Sequence, residues 1–175
     1  MNPPLASLGR RICILGPSNS GKSTLAAALG VQMGLPVIHL DQLHHQPGSD
    51  WVPRPADEFT ALHDAALAGD EWVIEGNYSR LFAARFARAT GIILLDLSTP
   101  LSLWRYARRT LFERQRIGAL EGGRERINRE MLHHITVVTP PARRRNARLV
   151  GASGLPHVTA KGRTAISRLY ADWGL

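Results

Sequence analysis

The sequence predicts an α/β fold built on a parallel sheet, and three observations lead to that prediction. Short apolar segments rich in β-branched residues alternate along the chain with longer segments whose apolar residues recur at helical spacing. A glycine-rich turn joins the first strand-like segment to the first helix-like one. The chain has 175 residues, 44% of them hydrophobic and 21% charged, a composition typical of a globular protein. We therefore expect one domain over residues 1–175.

The predicted strands are short apolar runs bounded by polar residues, glycine or proline. They cover residues 11–16, 36–41, 72–75, 91–97 and 155–159. Because helices separate them, the strands are expected to lie parallel, and the ligand of such a sheet binds at the carboxyl ends of its strands. The residues at those ends are therefore the first candidates for function.

The predicted helices follow from apolar periodicity and from residues typical of helix ends. Gly34 supplies a stop for the first helix. Asp57 and Glu58 lie in the first turn of the second, where the helix dipole favours acids. Pro140 and Pro141 are expected to open a separate helix. The predicted helices cover about residues 22–33, 57–68, 82–86, 100–117, 124–138, 140–149 and 164–173, with a glycine-rich break at 118–123.

Composition excludes several classes of protein. No apolar run reaches the roughly 20 residues that a membrane-spanning helix needs. The N-terminus lacks a basic segment followed by an apolar one, so no secretory signal is expected. The single cysteine, Cys13, cannot form a disulfide within the chain, as is typical of a reducing compartment. We expect a cytoplasmic protein without a membrane partner.

Charge is distributed unevenly along the chain. There are 22 basic and 14 acidic residues, a net charge of +8, and 20 of the basic residues are arginines. Residues 80–148 hold 15 arginines against 5 acids, a net of +10, and the rest of the chain has a net of −2. Such a positive half is typical of a protein that binds polyanions, either the phosphates of a nucleotide or a nucleic acid. Within it, the run 143–145 is interpreted as serving the end of its helix or an anionic partner.

One motif indicates the class of ligand. Residues 16–23, Gly-Pro-Ser-Asn-Ser-Gly-Lys-Ser, match the pattern Gly-x4-Gly-Lys-Ser between a strand and a helix. Glycines allow the backbone angles that turn successive N–H groups toward an anion. Lys22 is expected to reach the β- and γ-phosphates, and the Ser23 hydroxyl is expected to ligate Mg²⁺. We therefore predict a phosphate-binding loop for ATP and Mg²⁺. The expected ATP contacts in this loop are Gly16, Pro17, Ser18, Asn19, Ser20, Gly21, Lys22, Ser23 and Thr24.

Acidic residues stand at the ends of three predicted strands. Glu75 and Asp96 could each hold Mg²⁺ or its waters, and Glu75 is favoured because Gly76 beside it lets a substrate approach the backbone. Asp41 is predicted to orient the acceptor hydroxyl or to accept its proton, with helix capping or a solvated loop position as the alternative. Three histidines lie within four residues of Asp41, but their spacing matches no established metal site.

Arginines are concentrated where a kinase would need a lid. Arg105, Arg108 and Arg109 lie at positions i, i+3 and i+4 and therefore share one face of the helix after strand four. Further arginines flank the glycine-rich break, so we predict a lid over about residues 110–126. Planar guanidinium groups suit the charge that spreads over a transferring phosphoryl group, and Arg109 and Arg116 are predicted to neutralise it. A solvated basic helix face is the alternative.

Four segments together resemble one family. Their sequences are Gly-Pro-Ser-Asn-Ser-Gly-Lys-Ser-Thr at 16–24, His-Leu-Asp-Gln-Leu at 39–43, Trp-Val-Ile-Glu-Gly-Asn-Tyr at 72–78 and Leu-Trp-Arg-Tyr-Ala-Arg-Arg at 103–109. With them the chain resembles the adenylate-kinase-related DNA topology modulation proteins. The resemblance implies a P-loop fold of the nucleoside-kinase kind. That fold has a five-stranded parallel sheet with helices on both faces, the phosphate loop after strand one and a small helical lid after strand four.

The same resemblance bears on individual site residues. It implies that strand three lies beside strand one, which supports Glu75 as the acid near Mg²⁺. Related kinases pack the adenine base after strand five, where Ala-Lys-Gly-Arg stands here, so Arg163 joins the predicted ATP contacts. Adenylate kinases carry Asp-Gly-Phe-Pro-Arg after strand three, whereas residues 75–80 read Glu-Gly-Asn-Tyr-Ser-Arg. A true adenylate kinase is therefore not expected.

Functions of two classes stay open. The first is an ATP-dependent phosphotransferase that transfers the γ-phosphoryl of Mg-ATP to a small-molecule or nucleotide-like acceptor. The alternative is a nucleotide-regulated nucleic-acid-binding protein with little transferase activity, and transfer to the 5′-hydroxyl of a polynucleotide would combine the two. The kinase is favoured because the sequence contains no helix-turn-helix, zinc finger or basic-aromatic module. Neither the acceptor nor the oligomeric state follows from the sequence.

Overall fold

A computed structural model describes residues 2–49, 51–112 and 129–175 of the chain. Within them, five strands form one sheet in the order β2-β3-β1-β4-β5, and every neighbouring pair is parallel. The predicted five-stranded parallel α/β sheet is confirmed, and strand three lies beside strand one. The strands are β1 (Arg11–Leu15), β2 (Val37–His39), β3 (Trp72–Glu75), β4 (Gly91–Asp96) and β5 (His157–Lys161).

Helices connect the strands in the alternating pattern that the sequence predicts. Short 3₁₀ turns lie at Leu5–Leu8 and Ser79–Leu81. The α-helices of the described residues are α1 (Lys22–Met33), α2 (Leu40–His44), α3 (Ala56–Leu67), α4 (Phe82–Arg88), α5 (Thr99–Phe112), α6 (Arg129–His133), α7 (Thr139–Ala152) and α8 (Gly162–Trp173).

A hydrophobic core lies on each face of the sheet, because successive residues of a strand point to opposite sides. In β1, Ile12 and Ile14 pack on one face with residues of α1 and α8. Cys13 and Leu15 pack on the other face with residues of α3, α4 and α7. All four side chains are fully buried. Helices therefore cover both faces, and only the two ends of the strands are open to a ligand.

The second strand is shorter than predicted. β2 ends at His39 and the chain turns at once into α2, so Asp41 lies in the first turn of a helix and not at the end of a strand. Leu40 is fully buried against Gly76, where an added Cβ would lie 2.9 Å from the Leu40 Cβ. The helical position also suits an acid, since the helix dipole favours negative charge in the first turn.

The chain from Arg129 to Ala152 is continuously helical, so the prediction of two helices separated before Pro140 is wrong. A π-helical turn, His134–Val138, joins α6 to α7, and Pro140 and Pro141 stand at the start of α7. Because the helix continues through them, each proline leaves a carbonyl of the preceding turn without its usual N–H donor. The π turn widens the helix immediately before the prolines, which accommodates their rings.

The last strand and helix are displaced from the predicted bounds. β5 begins after Pro156, which has no N–H to donate to the sheet, and it continues to Lys161. α8 then begins at Gly162, so Arg163 lies in the first turn of a helix.

Most of the predicted lid lies outside the described part of the chain. Of residues 110–126, the structure describes 110–112 at the end of α5. Arg116 and the other arginines that flank the glycine-rich break fall within residues 113–128 and are not described. Among the described residues, no helix is both long and apolar enough to cross a membrane.

Candidate active site

The predicted phosphate loop connects the end of β1 to the start of α1. Its first residue, Gly16, has φ 154°, and an added Cβ would lie 2.5 Å from the carbonyl oxygen of Leu95. A residue with a side chain could not occupy this position without moving β4. The Ser20 N–H donates to the Pro17 carbonyl at 3.2 Å, which closes the loop. α1 begins immediately after it, so the unpaired N–H groups of the helix N-terminus lie beside the loop.

The turn after β3 holds the first residue of this loop. The Gly16 N–H donates to Asn77 Oδ1 at 3.1 Å, and Asn77 Nδ2 donates to the Gly16 carbonyl at 2.8 Å. The Gly76 N–H donates to the Ile14 carbonyl at 3.2 Å, which continues the β1–β3 pairing to the end of both strands. The Asn77 side chain and the Gly76 backbone therefore both hold the start of the phosphate loop beside strand three.

Glu75 lies beside the loop at the end of β3, with only 3% of its surface exposed. Its Oε1 accepts a hydrogen bond from Ser23 Oγ at 2.9 Å and lies 2.9 Å from His39 Nδ1. Burial alone would raise the pKa of the Glu75 carboxyl. The hydrogen bond with His39, the charge of Lys22 and the hydrogen bond from Ser23 outweigh burial and lower that pKa below its ordinary value. Glu75 is therefore ionised, and its carboxylate and the Ser23 hydroxyl are hard oxygen groups of the kind that Mg²⁺ prefers.

Asp96, the other acid considered for Mg²⁺, has a different partner. Its Oδ1 accepts a hydrogen bond from Arg143 Nε at 2.6 Å. The structure thus brings Glu75, and not Asp96, to the serine of the loop. Asp96 lies at the end of β4, where it ties that strand to α7.

Two basic side chains contact the backbone of the loop. Lys22 Nζ donates to the Pro17 carbonyl at 3.1 Å. Arg105 Nη1, from α5, lies 3.3 Å from the carbonyl oxygens of both Asn19 and Ser20. Burial and the nearby charge of Arg163 lower the pKa of Arg105, so the predicted ATP contact Arg163 lies in the same positive region.

Arg109, chosen from the sequence as a catalytic residue, lies one turn further along α5. Its guanidinium carbon is 6.0 Å from the centre of the Tyr106 ring. Arg105 occupies the same helix face, but the sequence predicts a role in phosphoryl transfer for Arg109 and not for Arg105. The contact of Arg105 with the loop depends on how the fold brings α5 against residues 19 and 20, which helical spacing alone does not indicate.

A cavity of about 360 Å³ opens beside the loop. One side is formed by loop residues, including Ser18 and Lys22, and the adjoining side by Asp41 and residues 76–79. Tyr78 OH donates to Asp41 Oδ1 at 2.7 Å. Burial and the Asp41 carboxylate raise the pKa of Tyr78, so the phenol keeps its proton and remains a donor.

Another part of the cavity lining belongs to α7 and the π turn. We call it the α7 side; its polar residues are His134, Thr139, Arg143, Arg145 and Asn146. Burial and the positive charge of Lys22 lower the pKa of His134. His134 and Lys22 line the same cavity. The sequence offers no sign of His134 or Asn146, since they belong to a helix far along the chain from the loop.

A buried arginine supports the turn that these contacts share. Arg85 of α4 is fully buried. Its guanidinium donates to the carbonyl oxygens of Gly76, Asn77 and Tyr78 at 2.8, 2.9 and 3.1 Å. Burial lowers the pKa of Arg85 to about 10, which leaves it charged at neutral pH. Arg85 therefore stabilises the turn that holds both Gly16 and Asp41.

The histidines around Asp41 have hydrogen-bond partners within the protein. In the described part of the chain, no group of three or more His, Cys, Asp or Glu side chains is arranged to hold a metal ion. The His44 ring instead packs edge to face on Phe59 and lies beside Tyr78, with centroid separations of 4.9 and 4.8 Å.

Comparison with solved structures identifies the fold, whereas comparison with family models and curated proteins finds no match. Over 93% of this chain and 97% of that one, it is similar to the structure of a shikimate kinase from Bacteroides thetaiotaomicron, with a TM-score of 0.53 and 19% identity. Over 94% of this chain and 89% of that one, it is similar to a gluconokinase from Sinorhizobium meliloti 1021, with a TM-score of 0.51 and 18% identity. The chain therefore has the fold of P-loop kinases.

Proposed function

We propose that this protein is an ATP-dependent kinase that transfers the γ-phosphoryl of Mg-ATP to a hydroxyl of a small-molecule acceptor. One observation carries the proposal: a single cavity of about 360 Å³ is lined by the phosphate loop, with Lys22, and by the carboxylate of Asp41. A phosphoryl donor on the loop and a hydroxyl beside Asp41 would meet in that cavity. Phosphate loops serve several functions, and the fold favours phosphoryl transfer among them, since a shikimate kinase and a gluconokinase have the same fold.

The residues at the loop suit ATP and Mg²⁺. Glycine at position 16 lets the loop pass close to the Leu95 carbonyl of β4, and the N-terminus of α1 offers N–H donors to phosphate oxygens. The Ser23 hydroxyl and the Glu75 carboxylate would hold Mg²⁺ or its waters. When bound, the ion would neutralise the negative charge that develops on the phosphates during transfer.

Asp41 would act on the acceptor. Its Oδ1 is held by the hydroxyl of Tyr78, which sets the orientation of the carboxylate. In that orientation Asp41 positions the acceptor hydroxyl and takes its proton as the oxygen bonds to the γ-phosphorus. The bond from that phosphorus to the bridging oxygen breaks, and ADP leaves. Lys22 would neutralise the β- and γ-phosphate oxygens, and we assign Arg109 and Arg116 the same task on the transferring group.

The direct test is ADP release from Mg-ATP by the purified protein, with and without acceptor pools. The pools are nucleosides, nucleoside monophosphates, small hydroxyl metabolites and 5′-hydroxyl oligonucleotides. We expect one pool to stimulate ADP release, and Lys22→Ala to lower the stimulated rate about 10²–10³-fold, because a charge that stabilises the transition state is lost.

The control is Arg168→Ala, which removes one positive charge from an exposed site on α8. We expect it to retain the activity of the unaltered protein. Stimulated turnover that persists in folded Lys22→Ala protein would refute the kinase.

The resemblance to DNA topology modulation proteins and the net charge of +10 over residues 80–148 favour one alternative, a nucleotide-regulated nucleic-acid-binding protein. That function predicts tight DNA binding that weakens steeply with salt, because binding releases counterions from the phosphates. Such binding without phosphoryl transfer to any pool would replace the kinase proposal.

We also propose that residues 1–175 form a single domain and that the protein is cytoplasmic, as the sequence predicts.

A further inference from the structure

The α7 side of the cavity is positively charged. Arg143 and Arg145 both line the cavity there. Arg143 forms an ion pair with Asp96, and this pair is neutral as a whole. Among the remaining charged lining residues, Lys22 and Arg145 are positive and Asp41 is negative. Because Lys22 belongs to the phosphate loop, Arg145 is the remaining positive charge that the described lining offers to a molecule bound beside Asp41.

Arg145 is tied to the turn that holds Asp41. Its Nη2 donates to Ser79 Oγ at 3.1 Å. Ser79 directly follows Tyr78, whose hydroxyl donates to Asp41 at 2.7 Å. A guanidinium has five N–H donors in a planar fork, and the bond to Ser79 uses one of them. Arg145 is therefore anchored to the residue that follows the hydrogen-bond partner of Asp41. It presents a group suited to a carboxylate or a phosphate.

Asn146, next along α7, has a buried amide oxygen, Oδ1, without a hydrogen-bond partner among the described residues. The residue lines the cavity, and only 4% of its surface is exposed. A buried amide oxygen without a donor is costly, on the order of 1–3 kcal/mol, and such atoms are normally satisfied. A hydroxyl of a bound molecule would supply the missing donor.

The volume limits the size of that molecule. Ligand pockets span roughly 300–1,000 Å³, and this cavity of about 360 Å³ lies at the small end of that range. It also has to receive the terminal phosphate of the donor. The remaining space suits a small metabolite better than a nucleic acid strand.

We propose that the acceptor is a small polyhydroxylated molecule that carries an oxyanion, either a carboxylate or a phosphomonoester. Arg145, with Arg143 beside it, holds the oxyanion; Asn146 accepts a hydrogen bond from one hydroxyl; and the reacting hydroxyl faces Asp41. This inference deepens the proposed function and rests on it, since it names the acceptor class of the same site.

Matched acceptors that differ only in the charged group test the inference. D-Glucitol, D-gluconate and D-glucitol 6-phosphate form one set, and a nucleoside with its 5′-monophosphate forms another. In the set that is used, we expect kcat/KM to be at least tenfold higher for an anionic member than for the neutral one. Comparing the carboxylate with the phosphate ester then identifies the oxyanion.

Neighbouring arginines provide the matched variants. Arg145→Gln is expected to raise KM for the anionic acceptor about 10- to 100-fold and to leave the Kd of ATP unchanged, because a charge-assisted hydrogen bond to the acceptor is lost. Arg144→Gln removes the same charge from the adjacent, exposed position, which does not line the cavity, and is expected to change neither value. Calorimetric binding of the same compounds to the ADP-bound protein measures the anion site without turnover.

The outcomes separate the two proposals. Equal use of neutral and anionic acceptors, or an unchanged anion preference in Arg145→Gln, would overturn the inference and leave the kinase intact. Anion binding that Arg145→Gln weakens, without any transfer, would support the anion site and refute the kinase. Failure of all these compounds to bind would overturn the inference.

Discussion

On the phosphate-loop side of the cavity, contacts within the protein fix the loop backbone and Glu75, although the side-chain amide of Asn19 and the Ser20 hydroxyl are buried without a partner among the described residues. Both backbone groups of Gly16 bond the Asn77 amide, and Ser23 bonds Glu75. On the α7 side, Asn146 Oδ1 is buried without a partner in the described chain, and Arg145 is exposed apart from its bond to Ser79. The loop backbone is therefore organised before any ligand arrives, whereas on the α7 side it is side chains that are available to a ligand.

This difference suits the two molecules that the site would bind. The triphosphate group is the same in every ATP molecule, so a rigid backbone cradle can be prepared for it. An acceptor is recognised by its own hydroxyl and charged groups, and these must pair with side chains that are left available in the free protein. Variants on the two sides should therefore change different kinetic quantities.

The largest effect on the loop side is expected from Glu75→Gln. The substitution keeps the size of the side chain and removes the negative charge beside Ser23. We expect kcat to fall about 10²–10³-fold, because a charged oxygen group near the metal is lost. The dependence of the rate on Mg²⁺ concentration should move to higher concentrations, and steady-state kinetics at several Mg²⁺ concentrations measure both effects.

Asp96→Asn is the matched control, since it alters the other acid at a strand end by the same change. Because Asp96 bonds Arg143 on the α7 side, we expect its main effect on the KM of the acceptor. A loss of Mg²⁺ dependence in Asp96→Asn, with Glu75→Gln unaffected, would reverse the assignment of the two acids.

A smaller effect is expected from Tyr78→Phe. The hydrogen bond to Asp41 is lost while the ring remains packed on His44 and Phe59. One hydrogen bond to a charged group corresponds to roughly tenfold in rate, so we expect kcat/KM for the acceptor to fall about tenfold with the Kd of ATP unchanged. A change confined to ATP binding would show that Tyr78 serves the loop side instead.

The same contrast explains how much of the molecule could be predicted from its sequence. The loop is contiguous, so its pattern, strand and helix could be read at residues 11–33, and the five strands of the sheet followed from apolar runs. Asp41 was identified, but its position in α2 depends on Leu40 packing against Gly76, a contact between distant residues. The sequence left an anionic partner open for the run that contains Arg145. Neither Arg145 nor Asn146 could be placed at the cavity from spacing, because that position depends on α7 packing against β4 and the turn after β3.

The continuous helix of residues 129–152 shows a second limit. Two adjacent prolines predict a helix boundary, since each lacks an N–H and its ring crowds the preceding turn. The π turn at His134–Val138 relieves that crowding and lets the helix continue. This turn also brings His134 to the cavity. The rule that prolines end a helix therefore fails here, next to residues that line the candidate site.

The most direct test of the account is Asp41→Asn, assayed for γ-phosphoryl transfer to the stimulating acceptor and for ATP binding. The amide keeps an oxygen for the Tyr78 hydroxyl, so the substitution removes the proton acceptor while preserving the geometry. We expect transfer to fall about 10²–10⁴-fold, with the Kd of Mg-ATP unchanged. Transfer at the rate of the unaltered protein would contradict the claim that donor and acceptor meet between the phosphate loop and Asp41.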